Sequence, residues 1–240
     1  MTNKIECVVI LMELNKRDCG MELKLVPYGA GWTDVHFNIG DDKLYFIITS
    51  VWSDQFSKLL EVLYYLHPDQ NDPKRNDDIE YWDGVCERIK GHYRVTKIVE
   101  RCEECPATIV PIPHKAELHW DEEGSSSHWV FTREPTEDED FELQIDICLR
   151  RGDEKNFSYK VRYKDFCYAV AKTCTEVIKS YGIYGYHHST YEDDINLRHF
   201  LFVKAVALDC LDIRKLTDNG DGLGESSSFE KEMELLMFDM

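Results

Sequence analysis

The sequence predicts an α+β protein: antiparallel, twisted sheet, or two such sheets, with helices laid over one face. Three observations carry that expectation. Apolar residues alternate with polar ones in paired runs joined by tight turns. Helix-spaced apolar residues directly follow two of these hairpins, so the helices succeed hairpins and not single strands. Of the 240 residues, 43% are hydrophobic and 12% aromatic, which is enough to fill a core and too apolar for a disordered chain.

In the first hairpin, Val35, Phe37 and Ile39 alternate with polar residues, Gly40-Asp41-Asp42 turns, and Leu44 to Thr49 returns. Ser53-Asp54 then opens a helix carrying Phe56, Leu59, Leu60, Leu63 and Leu66, which stops at His67-Pro68 because proline restricts the residue before it. A second stretch repeats the pattern. Phe141, Leu143, Ile145 and Ile147 alternate, Arg151-Gly152-Asp153-Glu154 turns, and Phe157, Tyr159, Val161 and Tyr163 return. Asp165 caps a following helix with Phe166, Ala169, Val170, Thr173, Val177 and Ile178, ended by Gly182. Sliding the first unit so that Val35 falls on Leu143 aligns the two in pattern, with the second hairpin about three residues longer at its turn.

The other segments extend this plan. Ile5–Leu14, Met21–Val26, His92–Val99, Ala116–Asp121 and His128–Arg133 read as strands, the last two joined across Glu122–Ser127. Asp77–Lys90 reads as a helix on Ile79, Trp82, Val85, Cys86 and Ile89, closed by Gly91. After Asp193-Asp194, the run from Ile195 to Leu208 reads as a largely buried helix, with a strand as the alternative. Pro135–Asp140 is an acidic connector and Thr217–Ser228 a flexible linker by composition. The expected organisation is therefore an N-terminal half over 1–134, a C-terminal half over 141–217 packed on it, and a tail over 218–240.

Charge narrows the function classes. There are 28 Lys and Arg against 46 Asp and Glu, a net charge of −18, which repels phosphate backbones and anionic lipid heads and favours a basic protein partner. Neither nucleic acid nor a membrane is expected as a partner. The apolar run from Cys7 to Met12 is too short for a signal peptide, and the longest apolar stretches are broken by Thr49, Ser50 and Lys204. Nine scattered cysteines form no disulfide framework and suit a reducing cytoplasm; Cys148 is expected to face inward on its strand.

Two clusters and one tail carry candidate chemistry. Cys102-Glu103-Glu104-Cys105 followed by His114 and His119 spells C-x2-C-x8-H-x4-H, four donors of the kind that fill a tetrahedral zinc shell, although the interval of eight is shorter than that of zinc fingers. The bland alternative is a β-turn with incidental thiols. His187-His188, near Glu192, Asp193, Asp194 and His199, is the second cluster; on extended backbone adjacent histidines point apart, so at most one could join the acids. Around it, Tyr184, Tyr186 and Tyr191 read as contact anchors or as a loop tucked over the sheet. Lys160, Arg162 and Lys164 form a basic stripe, read as the solvated side of a strand neutralised by Glu142 and Asp146 next to it. In the tail, Phe229, Met233, Leu236, Met237 and Met240 fall on one helical face, the pattern of a docking or oligomerising segment.

Short catalytic motifs are absent from the sequence: no G-x-S-x-G elbow, no phosphate loop, no G-x-G-x-x-G and no H-E-x-x-H; Asp218-Asn219-Gly220-Asp221-Gly222 lacks the spacing of a calcium loop. The expectation is thus a non-catalytic protein-binding module without a cofactor. In its acidity and α+β plan the chain resembles bacterial immunity proteins, a resemblance that implies neutralisation of a cationic partner by covering it. The competing expectation is a zinc-stabilised module or metal-dependent enzyme on Cys102, Cys105, His114 and His119.

Overall fold

The structure is a computed structural model describing residues 20–29, 31–49, 55–68, 100–101, 108–109, 115–122, 125–134, 136, 138–190, 194–210, 217–218 and 225–240. Strands β1 (Met21–Gly29), β2 (Trp32–Ile39) and β3 (Asp42–Thr49) form a three-stranded antiparallel sheet. Its register places Leu25 opposite Val35 and Val35 opposite Phe46, so the apolar sets of all three strands share one face. Helix α1 (Gln55–Leu66) follows and buries Phe56, Leu59, Leu60, Leu63 and Leu66.

A two-residue pair, β4 (Glu100–Arg101) with β5 (Thr108–Ile109), precedes the larger sheet. That sheet is an antiparallel meander of β6 (Lys115–Glu122), β7 (Ser125–Arg133), β8 (Glu142–Arg151) and β9 (Asp153–Arg162). Helices α2 (Tyr163–Ser189) and α3 (Leu197–Ala207) come next, then the short pair β10 (Thr217–Asp218) and β11 (Glu225–Ser226), and finally α4 (Phe229–Met237). Among the described residues the fold is α+β, two antiparallel sheets and four helices, with no closed barrel.

One buried cluster draws on both sheets and all four helices. Phe37 of β2 sits where the two sheets meet α2, its ring centroid 5.3 Å from Trp129 of β7 and 6.1 Å from both Tyr159 of β9 and Phe166 of α2. Phe37, Trp129 and Phe166 are fully buried, each contributing roughly 1.5–3 kcal/mol of transfer free energy, while Tyr159 is partly buried. Polar links cross the same junctions. The Tyr163 hydroxyl donates to the Leu63 carbonyl at 2.6 Å, tying α2 to α1, and Thr173 Oγ1 accepts from the Leu25 amide at 3.1 Å, tying α2 to edge strand β1. The Tyr159 hydroxyl donates to Asp42 at 2.9 Å; burial first, and that carboxylate second, push its pKa up to about 12.

Both strand–turn–strand–helix units are present, with differences in detail. The first hairpin turns on Gly40 and Asp41, since Asp42 already pairs with Ile39; Gly40 takes φ +55°, which glycine adopts without a Cβ penalty. The second turns on Gly152 alone, because Arg151 already pairs with Asp153. Its extra length lies in strands of 10 residues against 8, not in a longer turn. Asp165 lies in the first turn of α2 without being its cap; Asp140 in the connector accepts from the Lys164 amide at 3.3 Å and from Arg162 Nη2 at 2.9 Å, supplying negative charge at the helix start from outside.

Gly182 does end a helix, with φ 68° and ψ 163°, but a second helical segment resumes and carries α2 to Ser189. His187 and His188 therefore stand on helical, not extended, backbone. Ile195–Leu208 is a helix from Leu197, capped by Asn196, whose side chain accepts from the His199 amide at 3.1 Å. Cys148 faces outward, because the partners of its strand place Leu149, not Cys148, with the apolar set. The segment read as a linker contains the pair β10–β11, and Ser228 is the N-cap of α4. The expected strands at Ile5–Leu14 and His92–Val99 and the helix at Asp77–Lys90 lie outside the described residues. Among the described residues, no helix is long and apolar enough to cross a membrane.

Candidate functional site

Strand alternation divides β6 into two sets. Ala116, Leu118 and Trp120 enter the core, while Lys115, Glu117 and His119 stand on the opposite face. The register then lines up His119, His128, Cys148 and Asn156 as one row across all four strands. His119 and His128 stack with ring centroids 3.9 Å apart and planes 10° from parallel. Beside them Glu117 is only 9% exposed, unusual for a carboxylate on the outer face. Its two oxygens divide their partners: Oε1 takes Lys115 Nζ at 2.7 Å, and Oε2 faces His128 Nε2 at 3.2 Å and His119 Nε2 at 3.8 Å. Burial pulls the Glu117 carboxyl upward, but Lys115 and His128 outweigh it and hold the group below its ordinary value.

Of the four expected zinc ligands, Cys102, Cys105 and His114 lie outside the described residues, and His119 belongs to this outer-face group. Glu117 and His128 were missed in the sequence. The E-x-H spacing that puts Glu117 and His119 on one face was visible there, but their meeting with His128 depends on the register of β6 against β7, which no short motif encodes.

The His187 region separates into parts. His187 Nδ1 lies 2.9 Å from Asp194 Oδ1, whereas His188 packs edge-on against Tyr184 at 4.6 Å. His199 does not join them; it is buried beside Tyr64, ring centroids 4.5 Å apart, and burial, with Arg198 second, pulls its pKa down to about 4. Tyr184 is 77% exposed and remains available as a contact residue. Tyr186 is fully buried, 5.8 Å from Phe56, so it leaves the set of surface anchors; Tyr191 lies outside the described residues. The basic stripe is paired, Lys160 with Glu142 at 2.7 Å, Arg162 with Asp140, and Lys164 with Asp209.

The tail helix α4 has two unlike sides. Its N-terminus is capped by Ser228, whose hydroxyl accepts from the Lys231 amide, with Glu230 and Glu232 in the first turn complementing the helix dipole. On the inner side Leu235 is buried, and the Lys204 ammonium of α3 donates to the Phe238 carbonyl at 2.7 Å and the Leu236 carbonyl at 3.4 Å. Lys204 is fully buried, and that burial lowers its pKa to about 8. On the outer side Phe229 (73% exposed), Met233 (38%) and Met237 (74%) recur every four residues, flanked by exposed Glu230 and Glu234. Comparisons with protein-family models, with curated proteins and with solved structures find no match to this chain.

Proposed function

We propose that this chain is a non-catalytic protein-binding module that covers a basic partner, with the outer side of α4 as part of the contact surface. The carrying observation is that α4 is anchored to the body through Lys204 and Leu235 while turning Phe229, Met233 and Met237 outward between glutamates. An apolar stripe of this kind supplies contact area, and the acids beside it select a partner whose rim is cationic. The overall charge of −18 acts in the same direction by steering such a partner toward the surface. Tyr184 offers a further exposed aromatic anchor.

The same stripe would also accept a second copy of the chain. That reading is disfavoured because self-pairing brings Glu230 and Glu234 of two copies close together, and like charges across an interface cost free energy. The resemblance to immunity proteins adds support by analogy alone, since both are acidic α+β bodies suited to occluding a cationic surface.

Affinity purification from the source cells tests it. Wild-type chain immobilised at low salt should retain a cationic protein that elutes as salt rises, and the triple variant Phe229→Ser, Met233→Ser, Met237→Ser should fail to retain it. Retention that ignores both salt and the triple substitution contradicts the proposal. A doubled mass of the wild-type chain alone, restored to monomer in the triple variant, would assign the stripe to self-association instead.

A further inference from the structure

We propose that Glu117, His119 and His128 form a binding site for a late first-row divalent cation, zinc in the first instance, clamping β6 to β7 on the outer face of the four-stranded sheet. One ligand atom from each residue lies within 4.8 Å of the other two. Tetrahedral zinc, with bonds of about 2.0–2.2 Å to nitrogen and oxygen, holds its donors roughly 3.3–3.6 Å apart. The His128 to Glu117 edge of that figure is already 3.2 Å, and the His119 to Glu117 edge is 3.8 Å.

Closing the remaining gap requires side-chain rotation only. Strand pairing sets His119 directly opposite His128 and fixes their backbones, while the His119 side chain is half exposed and has room to turn. Its ring must tilt out of the near-parallel stack so that both nitrogens aim at a common point. Glu117 needs no such adjustment: Lys115 occupies Oε1, which leaves Oε2 presented to the imidazoles, the arrangement by which an outer partner orients a ligating carboxylate.

Donor chemistry selects the cation. Two imidazoles and one carboxylate suit zinc, cobalt or nickel, whereas calcium and magnesium require shells of oxygen. Three protein ligands leave a fourth position for solvent. The site is independent of α4 and of the proposed partner surface, and it differs from the C-x2-C-x8-H-x4-H reading in using His119 without the thiols.

The experiment is titration of the full-length chain, reduced, with zinc chloride by calorimetry, paralleled by cobalt chloride followed in the visible spectrum. Wild-type protein should show a saturable step of about one zinc per chain and weak cobalt bands from nitrogen and oxygen donors. His128→Ala and His119→Ala should each weaken that step at least as much as loss of an outer-shell partner does elsewhere, roughly 10–100-fold, and Glu117→Gln should weaken it too. Cys102→Ser with Cys105→Ser should leave it intact. Unchanged circular dichroism of the exposed-site variant His119→Ala separates ligand loss from misfolding. Saturation that survives both histidine substitutions, a step abolished by the double serine variant, or no zinc uptake by the wild type would each overturn the proposal.

Discussion

On the inner face of the four-stranded sheet Leu118, Trp120, Trp129, Phe131, Ile145 and Ile147 are exposed by no more than 1%, whereas Glu117, His119, His128, Val130, Asp146 and Cys148, one step along the same strands, make up an outer face. The backbone and the register are common to both. What separates them is the two-residue period of side-chain direction, so one set of strands both builds the core and presents polar chemistry. Cys148 shows how much hangs on one residue of phase: read inward it is a small core filler, and in the structure it stands beside His128.

Emptying the inner face should cost the molecule most. Trp129 lies 5.4 Å from Trp120, 5.3 Å from Phe37 and 6.1 Å from Phe46, and its indole N–H donates to Ser127 Oγ. Trp129→Ala should cost about 3–5 kcal/mol in chemical denaturation, since the surrounding rings cannot close the cavity. A loss below about 1 kcal/mol would mean that the inner face is not packed as described.

A smaller effect comes from a titratable ring kept on the buried side. His199 is held at a pKa of about 4, below its ordinary 6.5, so as pH falls from 6.5 toward 4 the unfolded chain takes up a proton before the folded one does. Stability from this group is therefore present above 6.5 and lost as pH drops through that window. His199→Phe should remove this part of the slope, about 3 kcal/mol between pH 7 and 4 relative to wild type. Parallel stability curves for the two proteins would contradict the burial of His199.

The smallest effect belongs to the outer face. Lys160 and Glu142 form a solvent-exposed pair, and Lys160→Ala should change stability far less than either substitution above, with the difference shrinking at high salt. A cost approaching that of Trp129→Ala would erase the distinction between the faces.

Much of the fold was legible because it rests on local periodicity. Val35, Phe37 and Ile39 against Leu44 to Thr49, the helix from Phe56 to Leu66, and the pairing of Lys160 with Glu142 follow from alternation and spacing within the chain. What was not legible depends on distant partners. The first amides of α2 find an acceptor in Asp140 of the preceding connector, with Asp165 in the first turn but not its cap, and Tyr186 is buried because Phe56, far away in sequence, packs against it. The site shows the same division. Phe229, Met233, Leu236, Met237 and Met240 were readable as one helix face, but that Leu236 and Met240 pack partly against the core, on the side Lys204 anchors, was not; His119 was readable as a donor, but its neighbours Glu117 and His128 follow from register.

The proposed binding rests on an acidic surface with an apolar stripe at its contact. Its most direct test is the dissociation constant of the captured partner for the full chain, measured by titration calorimetry at low and at high salt, for wild type and for Met237→Glu alone. A single added charge in the stripe should weaken binding at both salts, and raising salt should weaken the wild-type complex as screening shortens the reach of the acids. Equal affinities in all four measurements would rule out recognition through the acids and the stripe.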